Sequence, residues 1–495
     1  MLLRYIYDDK LAHASYLVGC QATGEAIVID PGRDIDQYLE LAARENLVIT
    51  AVTETHIHAD FVSGARELAE RVGARLYVSD EGGSEWKYEY LEPYDHVLLK
   101  DGDTWRVGNI EFKALHTPGH TPEHMSFLLT DTAAASEPMG IFTGDFLFVG
   151  DVGRPDLLEE AAGIKGTKEI GARQLFQSLQ KIRELPDYLQ VWPAHGAGSA
   201  CGKSLGAVPT STLGYEKRFN WAFDIDSEEA FVKAVLAGQP DPPKYFAVMK
   251  RVNKEGPKVL GGLPQVPRLD ARVLAKLVQE RAWIVDTRSQ AEYALGHILG
   301  TVGIPLNRSF NTYAGWVLPY DQPIYLIVDE DRLEEAVTAL IRVGLDNIRG
   351  YFPTDTLKTY PMVVRQPLHK IDLKTVHEVK HAIEARELLV LDVRADHEYR
   401  AGHIPGSVNV PLTRLLEDMD RVPRDRQIVV NCQSGGRSFV ATTLLQSRGY
   451  ENVTNLEGGF MAWMLARLPI SRDGADTTLH TIGNASASQK ENQPA

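Results

Sequence analysis

Two sets of residues in this 495-residue chain have the types and spacing to do chemistry. The first is the run Cys432-Gln433-Ser434-Gly435-Gly436-Arg437-Ser438. It stands between an apolar strand expected over 427–431 and a helix expected from about Ser438 toward Gly449, whose glycine reads as the C-cap. A cysteine on a tight, glycine-bearing loop at a helix N-terminus faces a cup of backbone N–H groups and the positive end of the helix dipole. Both favour thiolate over thiol, so the run reads as a reactive sulfur site, against the plainer alternative of an inert cysteine at a strand end. The second set is four ordered segments in the first half of the chain. They are Thr55-His56-Ile57-His58-Ala59-Asp60, His116-Thr117-Pro118-Gly119-His120, Phe142-Thr143-Gly144-Asp145 and Trp192-Pro193-Ala194-His195. Alternate residues leaving a strand project to the same side, so His56 and His58 can converge with Asp60. The last two segments place a carboxylate and a histidine at the ends of apolar strands. Together the four read as a metal site.

The elements around the cysteine run occur twice. Residues 285–306 read VDTRSQAEYALGHILGTVGIPL and residues 391–412 read LDVRADHEYRAGHIPGSVNVPL. Asp286 matches Asp392, Arg288 matches Arg394, and Gly296-His297-Ile298 matches Gly402-His403-Ile404. Two copies imply two similar α/β domains of about a hundred residues. The signature and the cysteine loop resemble the rhodanese sulfurtransferases, whose cysteine carries a sulfane sulfur as a persulfide. The resemblance implies Cys432 and Arg437 as catalytic groups, with Gln433, Ser434, Gly435, Gly436 and Ser438 forming the sulfur-binding loop. Four residues separate Cys432 from Arg437, one fewer than in the cysteine phosphatase loop, which suits a single sulfur better than a phosphate. In the first copy Val328 or a neighbour replaces the cysteine and Asp329-Glu330-Asp331 follows. Acidic groups there would repel a thiolate, so this copy is expected to be a structural or docking domain.

The histidine and aspartate segments resemble the metallo-β-lactamase fold, an αββα sandwich with its metals at one edge, over about the first 250 residues. Dinuclear zinc hydrolases of this fold, such as glyoxalase II, continue the first motif with a histidine that binds the second metal. Here that position is Phe61. A second metal would keep only Asp60, His195 and a bridging Asp145, a depleted set. Two histidines and one carboxylate around a single metal match the facial triad of non-haem iron(II) oxygenases. Fold, missing ligand and attached sulfurtransferase together resemble the persulfide dioxygenases, specifically their bacterial fusions with rhodanese domains. The resemblance implies one Fe(2+) per chain on His56, His120 and Asp145, with His58, Asp60 and His195 orienting ligands and bound water.

Other residues have weaker claims. Arg154, in Gly153-Arg154-Pro155-Asp156, is a candidate for a substrate carboxylate or, equally, a structural partner of Asp156. Lys217 and Arg218 are candidates for gripping the anionic end of a thiol carrier, or form a solvated helix face. Cys201 is expected beside the metal edge, with Lys203 favouring its thiolate. It would handle persulfide there or serve as a structural cysteine. Cys20 reads as strand packing.

Organisation follows from the breaks at 239–244, 261–267 and 364–367, rich in proline and glycine. The expected architecture is α/β: a metallo-β-lactamase αββα sandwich over 1–250, then two rhodanese-like α/β domains over 268–365, without the cysteine, and 368–472, with it. A disordered tail is expected over 473–495. The chain has three cysteines and a net charge of −15. Sparse cysteines point to a reducing, cytoplasmic setting, and the acidic balance speaks against nucleic acid or an anionic membrane as partner. No stretch reaches membrane-spanning length and the first residues lack a signal-peptide plan. The implied partners are a small-molecule thiol persulfide, O2 and sulfite or thiosulfate, and a homo-oligomer, dimer or tetramer, is expected. The function implied is oxidation of the persulfide to sulfite, with sulfane sulfur passing through Cys432 to or from thiosulfate. The alternative is a zinc-dependent thioester hydrolase of the glyoxalase II type fused to a sulfurtransferase. Which thiol carries the sulfur, and in which direction it flows, are left open by the sequence.

Overall fold

Alternating apolar residues build the first half of the chain as two sheets, each covered on both faces. The first sheet runs in chain order: β1 (Leu2–Asp8), β2 (His13–Cys20), β3 (Glu25–Ile29), β4 (Val48–Thr53), β5 (Arg75–Ser79) and β6 (His96–Leu99). The second contains β7 (Thr104–Val107), β8 (Ile110–His116), β9 (Met125–Asp131), β10 (Gly140–Gly144), β11 (Gln190–Pro193) and β12 (Ser211–Thr212), in the order β12-β11-β10-β9-β8-β7. The computed structural model describes residues 1–157, 159, 166–203, 205–239, 242–243 and 245–472. The tail expected over 473–495, and residues 240, 241 and 244 of one proline-rich joint, lie outside these.

Strand periodicity explains the layers. Tyr16, Val18, Ile27 and Ile29 face Phe112, Phe127, Phe142 and Trp192 between the sheets. Their neighbours Leu17 and Val28 point the other way, onto Tyr38 and Leu68 of the helices Asp36–Arg44 and Ala65–Val72. Leu128, Ile141 and Val191 likewise pack on Leu175, Leu179 and Ile182 of the helix Thr167–Arg183. The result is the expected αββα sandwich.

Each repeat folds as a parallel sheet. The first holds β13 (Trp283–Asp286), β14 (Val302–Gly303), β15 (Ile324–Val328) and β16 (Ile348–Pro353), in the order β14-β13-β15-β16. The second holds β17 (Leu373–Lys374), β18 (Leu388–Asp392), β19 (Val408–Asn409), β20 (Gln427–Asn431) and β21 (Val453–Leu456), in the order β17-β21-β20-β18-β19. Register identifies the residue standing where the cysteine would be. Asp286 pairs with Ile327 and Asp392 with Asn431, so Val328 is the counterpart of Cys432. Among the described residues, no helix is long and apolar enough to cross a membrane.

The chain divides into two compact units, residues 1–293 with 297–368, and residues 294–296 with those from 369 onward. The cysteine-free repeat therefore belongs to the same unit as the sandwich, and polar contacts show why. Arg342 clamps Asp34 with Nε and Nη2 at 2.6 and 2.7 Å and also pairs with Asp8. Its carbonyl accepts the Val62 N–H at 2.8 Å. Arg33 reaches Asp346 at 2.8 Å, Lys10 reaches Glu335 at 2.8 Å, and Arg308 donates to the carbonyls of Asp9 and Ala197. Removing one member of a largely buried charge cluster leaves the others uncompensated. Arg342→Ala should therefore destabilise this unit by about 3 kcal/mol. Denaturant unfolding checks it, and a loss under about 1 kcal/mol would show that the clamp contributes little.

Candidate metal centre and sulfur loop

Four strands deliver the metal-edge residues to one place. Thr55, His56 and His58 follow the C-terminal end of β4. Asp145 directly follows β10, and His195 lies two residues beyond β11. β10 and β11 are parallel, with Gly144 opposite Pro193, so Asp145 and His195 leave the sheet side by side. His120 sits four residues after β8. Gly153 must be glycine, because a Cβ there would lie 1.8 Å from the Asp145 carbonyl oxygen.

One donor atom from each of His56, His120 and Asp145 lies within 4.8 Å of the others, and all three side chains are buried. Counting protons fixes the ring tautomers. Thr55 spends its single hydroxyl proton on Asp30 at 3.0 Å, so at its 3.0 Å contact with His56 Nδ1 it accepts. His120 Nδ1 donates to the Arg154 carbonyl at 3.0 Å, and His195 Nδ1 donates to that of Ala12 at 3.0 Å. Each neutral ring thus keeps a bare Nε2, the state a metal ligand needs. Burial holds His56 well below the usual imidazole range, helped by His58 and His120, and burial also lowers His120. Neither carboxylate oxygen of Asp145 has a hydrogen-bond partner among the described residues. A buried carboxylate beside bare imidazole nitrogens fits a divalent cation.

His58 is held differently. Its Nε2 donates to Asp30 at 3.1 Å. Burial pulls the ring down, but Asp30, Glu54 and Asp60 outweigh it and raise His58 to about 9. With Nε2 given to Asp30, the pair braces the first motif. Sequence reasoning missed Asp30, which also accepts the Thr55 N–H at 2.7 Å, and His124. His124 Nε2 accepts the Asp145 N–H at 3.1 Å while its ring stacks on His56. The signal for His124 was present, four residues beyond His120. His13 was missed too, and its ring packs 3.9 Å from Phe61.

Several expected substrate groups have structural work instead. Arg154 is fully buried and holds Asp156 with two bonds of 2.9 and 2.6 Å, so its guanidinium is not available to a substrate carboxylate. Its backbone ties the site together: the carbonyl orients His120 and the N–H donates to the Cys201 carbonyl. Lys217 is tied to the Leu185 carbonyl and Asp187, at 2.6 and 2.7 Å, which removes it from the candidates for gripping a thiol carrier. Arg218 is exposed. Cys201 is buried at the metal edge with Asp60 and His195. Lys203 does not favour its thiolate, because the ammonium is spent on the Ala234 carbonyl at 2.6 Å. Burial pushes the thiol up, and Asp145 and Asp60 push it further. Cys20 lies buried at the end of β2, its sulfur accepting the Asn109 N–H.

In the second unit, the Cys432 sulfur accepts the Gly435 N–H at 3.1 Å and the Ser438 hydroxyl at 3.3 Å. The helix Gly436–Ser447 begins beside it. A second N-terminus closes the loop: Phe460 and Met461 N–H groups donate to the carbonyls of Cys432 and Gln433. Gly459 permits that approach, with φ of +59° and a Cβ position only 2.4 Å from the Cys432 carbonyl oxygen. Arg437, expected to activate the sulfur, instead makes a two-bond pair with Glu398 at 2.6 and 2.8 Å. The amide cup and Ser438 are what meet the thiol. The Gln433 side chain is fixed by Arg394, which is itself locked onto Asp392.

The His58–Asp30 pair generates a pH prediction. A histidine raised from 6.5 to about 9 contributes stability fully present below pH 6.5 and lost as pH rises through about 9. Metal-free protein should lose stability across that window, and Asp30→Asn should flatten the slope. Urea unfolding at stepped pH reads both, and an unchanged slope in the variant would show that His58 is not held charged.

Residues 8–195 match the family described as the metallo-beta-lactamase superfamily, and residues 375–466 match the rhodanese-like domain. A crystal structure of a metallo-beta-lactamase from Staphylococcus aureus is 48% identical, with a TM-score of 0.66, over 71% of this chain and 99% of that one. A probable polyketide biosynthesis zinc-dependent hydrolase of Bacillus velezensis is 26% identical over 46% of this chain and 88% of its own length. The mitochondrial persulfide dioxygenase ETHE1 of Bos taurus is 27% identical over 48% of this chain and 80% of its own. The chain belongs to the metallo-β-lactamase superfamily, with a metal-binding αββα domain followed at its C-terminal end by a rhodanese-like domain.

Proposed function

We propose that the first unit is an iron(II) persulfide dioxygenase and that the second is a thiosulfate sulfurtransferase working on the same sulfur pool in a reducing, cytoplasmic setting. The observation that carries the reading is the His56–His120–Asp145 set, with His58 turned to Asp30 and Phe61 where a further histidine would serve a second metal. Two imidazoles and one carboxylate with open positions suit iron(II). Bound there, iron supplies the spin and redox chemistry that O2 requires and side chains lack. The kinship with ETHE1 supports the same reading.

The overall change balances as one low-molecular-weight persulfide, one O2 and one water giving the parent thiol, sulfite and two protons. The chain's own groups prepare the site for it. Thr55 and the carbonyls of Arg154 and Ala12 hold three imidazoles in the tautomer that points Nε2 inward. The Asp30–His58 pair keeps the first motif from relaxing. Phe61, fully buried, excludes water from one wall. In the second unit the Cys432 thiolate attacks the outer sulfur of a donor, whose S–S bond breaks as its thiolate or sulfite leaves. The Gly435 N–H and the Ser438 hydroxyl stabilise charge on the Cys432 sulfur. Transfer of that sulfur to sulfite gives thiosulfate, and the reverse uses the same groups. The relative named as a zinc-dependent hydrolase supports a second reading, a thioester hydrolase with zinc at the same edge.

Purified chain should hold about one iron and consume O2 when given a persulfide. Zinc in its place, with thioester hydrolysis and no O2 uptake, would establish the second reading. His120→Ala should abolish O2 uptake and spare sulfur transfer. Cys432→Ser should abolish sulfur transfer and spare O2 uptake with free persulfide. Loss of both activities in either variant would refute the separation of the two chemistries.

A further inference from the structure

One helix of the cysteine-free repeat, Phe310–Val317, lies against the metal edge. Two contacts place it. Just ahead of the helix, Arg308 donates at 3.1 Å to the carbonyl of Ala197, two residues beyond His195. Near its end, Gly315 abuts Tyr245, where a Cβ would lie 2.8 Å from the ring. Tyr245 opens the helix Tyr245–Glu255, whose Asn253 donates to the carbonyls of His58 and Phe61 at 2.8 and 2.7 Å. Burial pushes the Tyr245 hydroxyl well up, and Asp60 and Cys201 are near enough to push it further. Asn311 and Gly315 are one turn apart and share a face of their helix. The Asn311 side chain therefore faces the gap between the loop after His195 and Tyr245. It is completely buried, and neither its oxygen nor its nitrogen has a hydrogen-bond partner among the described residues.

A buried carboxamide with donor and acceptor both unused is unfavourable unless something entering the site supplies the two partners. A secondary amide does so in one group. Its carbonyl accepts from Asn311 Nδ2 while its N–H donates to Oδ1. We propose that Asn311 recognises a secondary amide in the arm of the thiol that brings sulfur to the metal edge, so that the cysteine-free repeat forms part of the substrate site. The inference rests on reading that edge as a site for a low-molecular-weight thiol carrier, and it names the class: a thiol with an amide-bearing arm. Asn311 holds the arm and does not touch the reacting sulfur. The repeat that lost its cysteine would thus keep a part in sulfur chemistry, by selecting what the neighbouring domain oxidises.

The test uses the full metal-loaded chain and two thiols, N-acetylcysteamine and 2-mercaptoethyl acetate, which differ only in that an ester oxygen replaces the amide N–H. In calorimetric titration the native chain should bind the amide thiol about tenfold or more tightly than the ester. Asn311→Leu, close in volume but without the carboxamide, should keep its metal and bind the two alike. Asn311→Ala, which adds no bulk, should do the same if the leucine variant does not fold. Equal binding by the native chain would overturn the proposal, as would a preference for the amide that survives in either variant. Persulfide-dependent O2 uptake measured on the same sample tests the proposed function separately. A chain that consumes O2 yet binds both thiols alike refutes only the role of Asn311. One that prefers the amide thiol yet consumes no O2 refutes only the dioxygenase.

Discussion

The carboxylate of Asp145 is the constraint around which the first unit is organised. It is completely buried, and neither oxygen receives a hydrogen bond from a nitrogen or oxygen donor among the described residues. An isolated charge in such a place costs several kcal/mol, so the fold is fully stabilised only when a cation sits against it. The surroundings keep other solutions away. Gly153 lets the chain pass against the Asp145 carbonyl, His124 occupies the Asp145 N–H, and the parallel pairing of β10 and β11 sets His195 alongside. The neighbouring imidazoles have each given their Nδ1 proton to an oxygen and cannot donate inward from Nε2 while neutral. Metal affinity here is a property of hydrogen bonds made on the far side of each ring.

The two repeats show one framework put to different uses. Both contain an aspartate and an arginine two residues apart that bridge each other, and a tyrosine stacked on the histidine four residues later. In both, the tyrosine hydroxyl donates to a backbone carbonyl eight residues on. They part at the strand end. After Asn431 the chain turns into an amide cup, closed by a second helix N-terminus at Gly459. After Ile327 come Val328, Asp329 and a short turn over Glu330–Arg332, and the helix Leu333–Arg342 ends in the residue that clamps the sandwich. One copy carries a cysteine in this region, the other a helix whose last residue binds the sandwich.

What the sequence revealed and what it hid divide along the range of the interactions. Strand alternation, the repeat and the ordered histidine segments are local patterns, and each appears in the fold where its period or motif placed it. The cysteine loop was legible because five of its seven residues are small or form the turn itself. Long-range partners were not legible. Nothing near Asp30 announces that it braces residues 25 and 28 positions away, and nothing near Arg154 says that its carbonyl aims His120. Charged residues were the most misleading. Lys203, Lys217 and Arg437 looked available in sequence, and each is occupied by a carbonyl or carboxylate that only the folded chain brings near, whereas Arg154 takes the structural alternative, its pair with Asp156 two residues on.

The separation between Asp8 and Arg342 has a consequence for how the protein is made. The two residues lie 334 positions apart, and the hairpin that begins at Asp8 ends at Ala12, whose carbonyl aims His195. Synthesis at about 5–20 residues per second leaves that hairpin emerged for roughly 17–67 s before its clamp is translated. The sandwich strands are complete long before then, so nascent chains pass through a stage in which the metal edge is folded but one wall is unsecured. The sulfur loop has no such delay, because Glu398 and Arg437 are only 39 residues apart. A newly made chain thus brings the partners around Cys432 together soon after its last strand, while the wall beside the metal edge is secured only when the first repeat arrives.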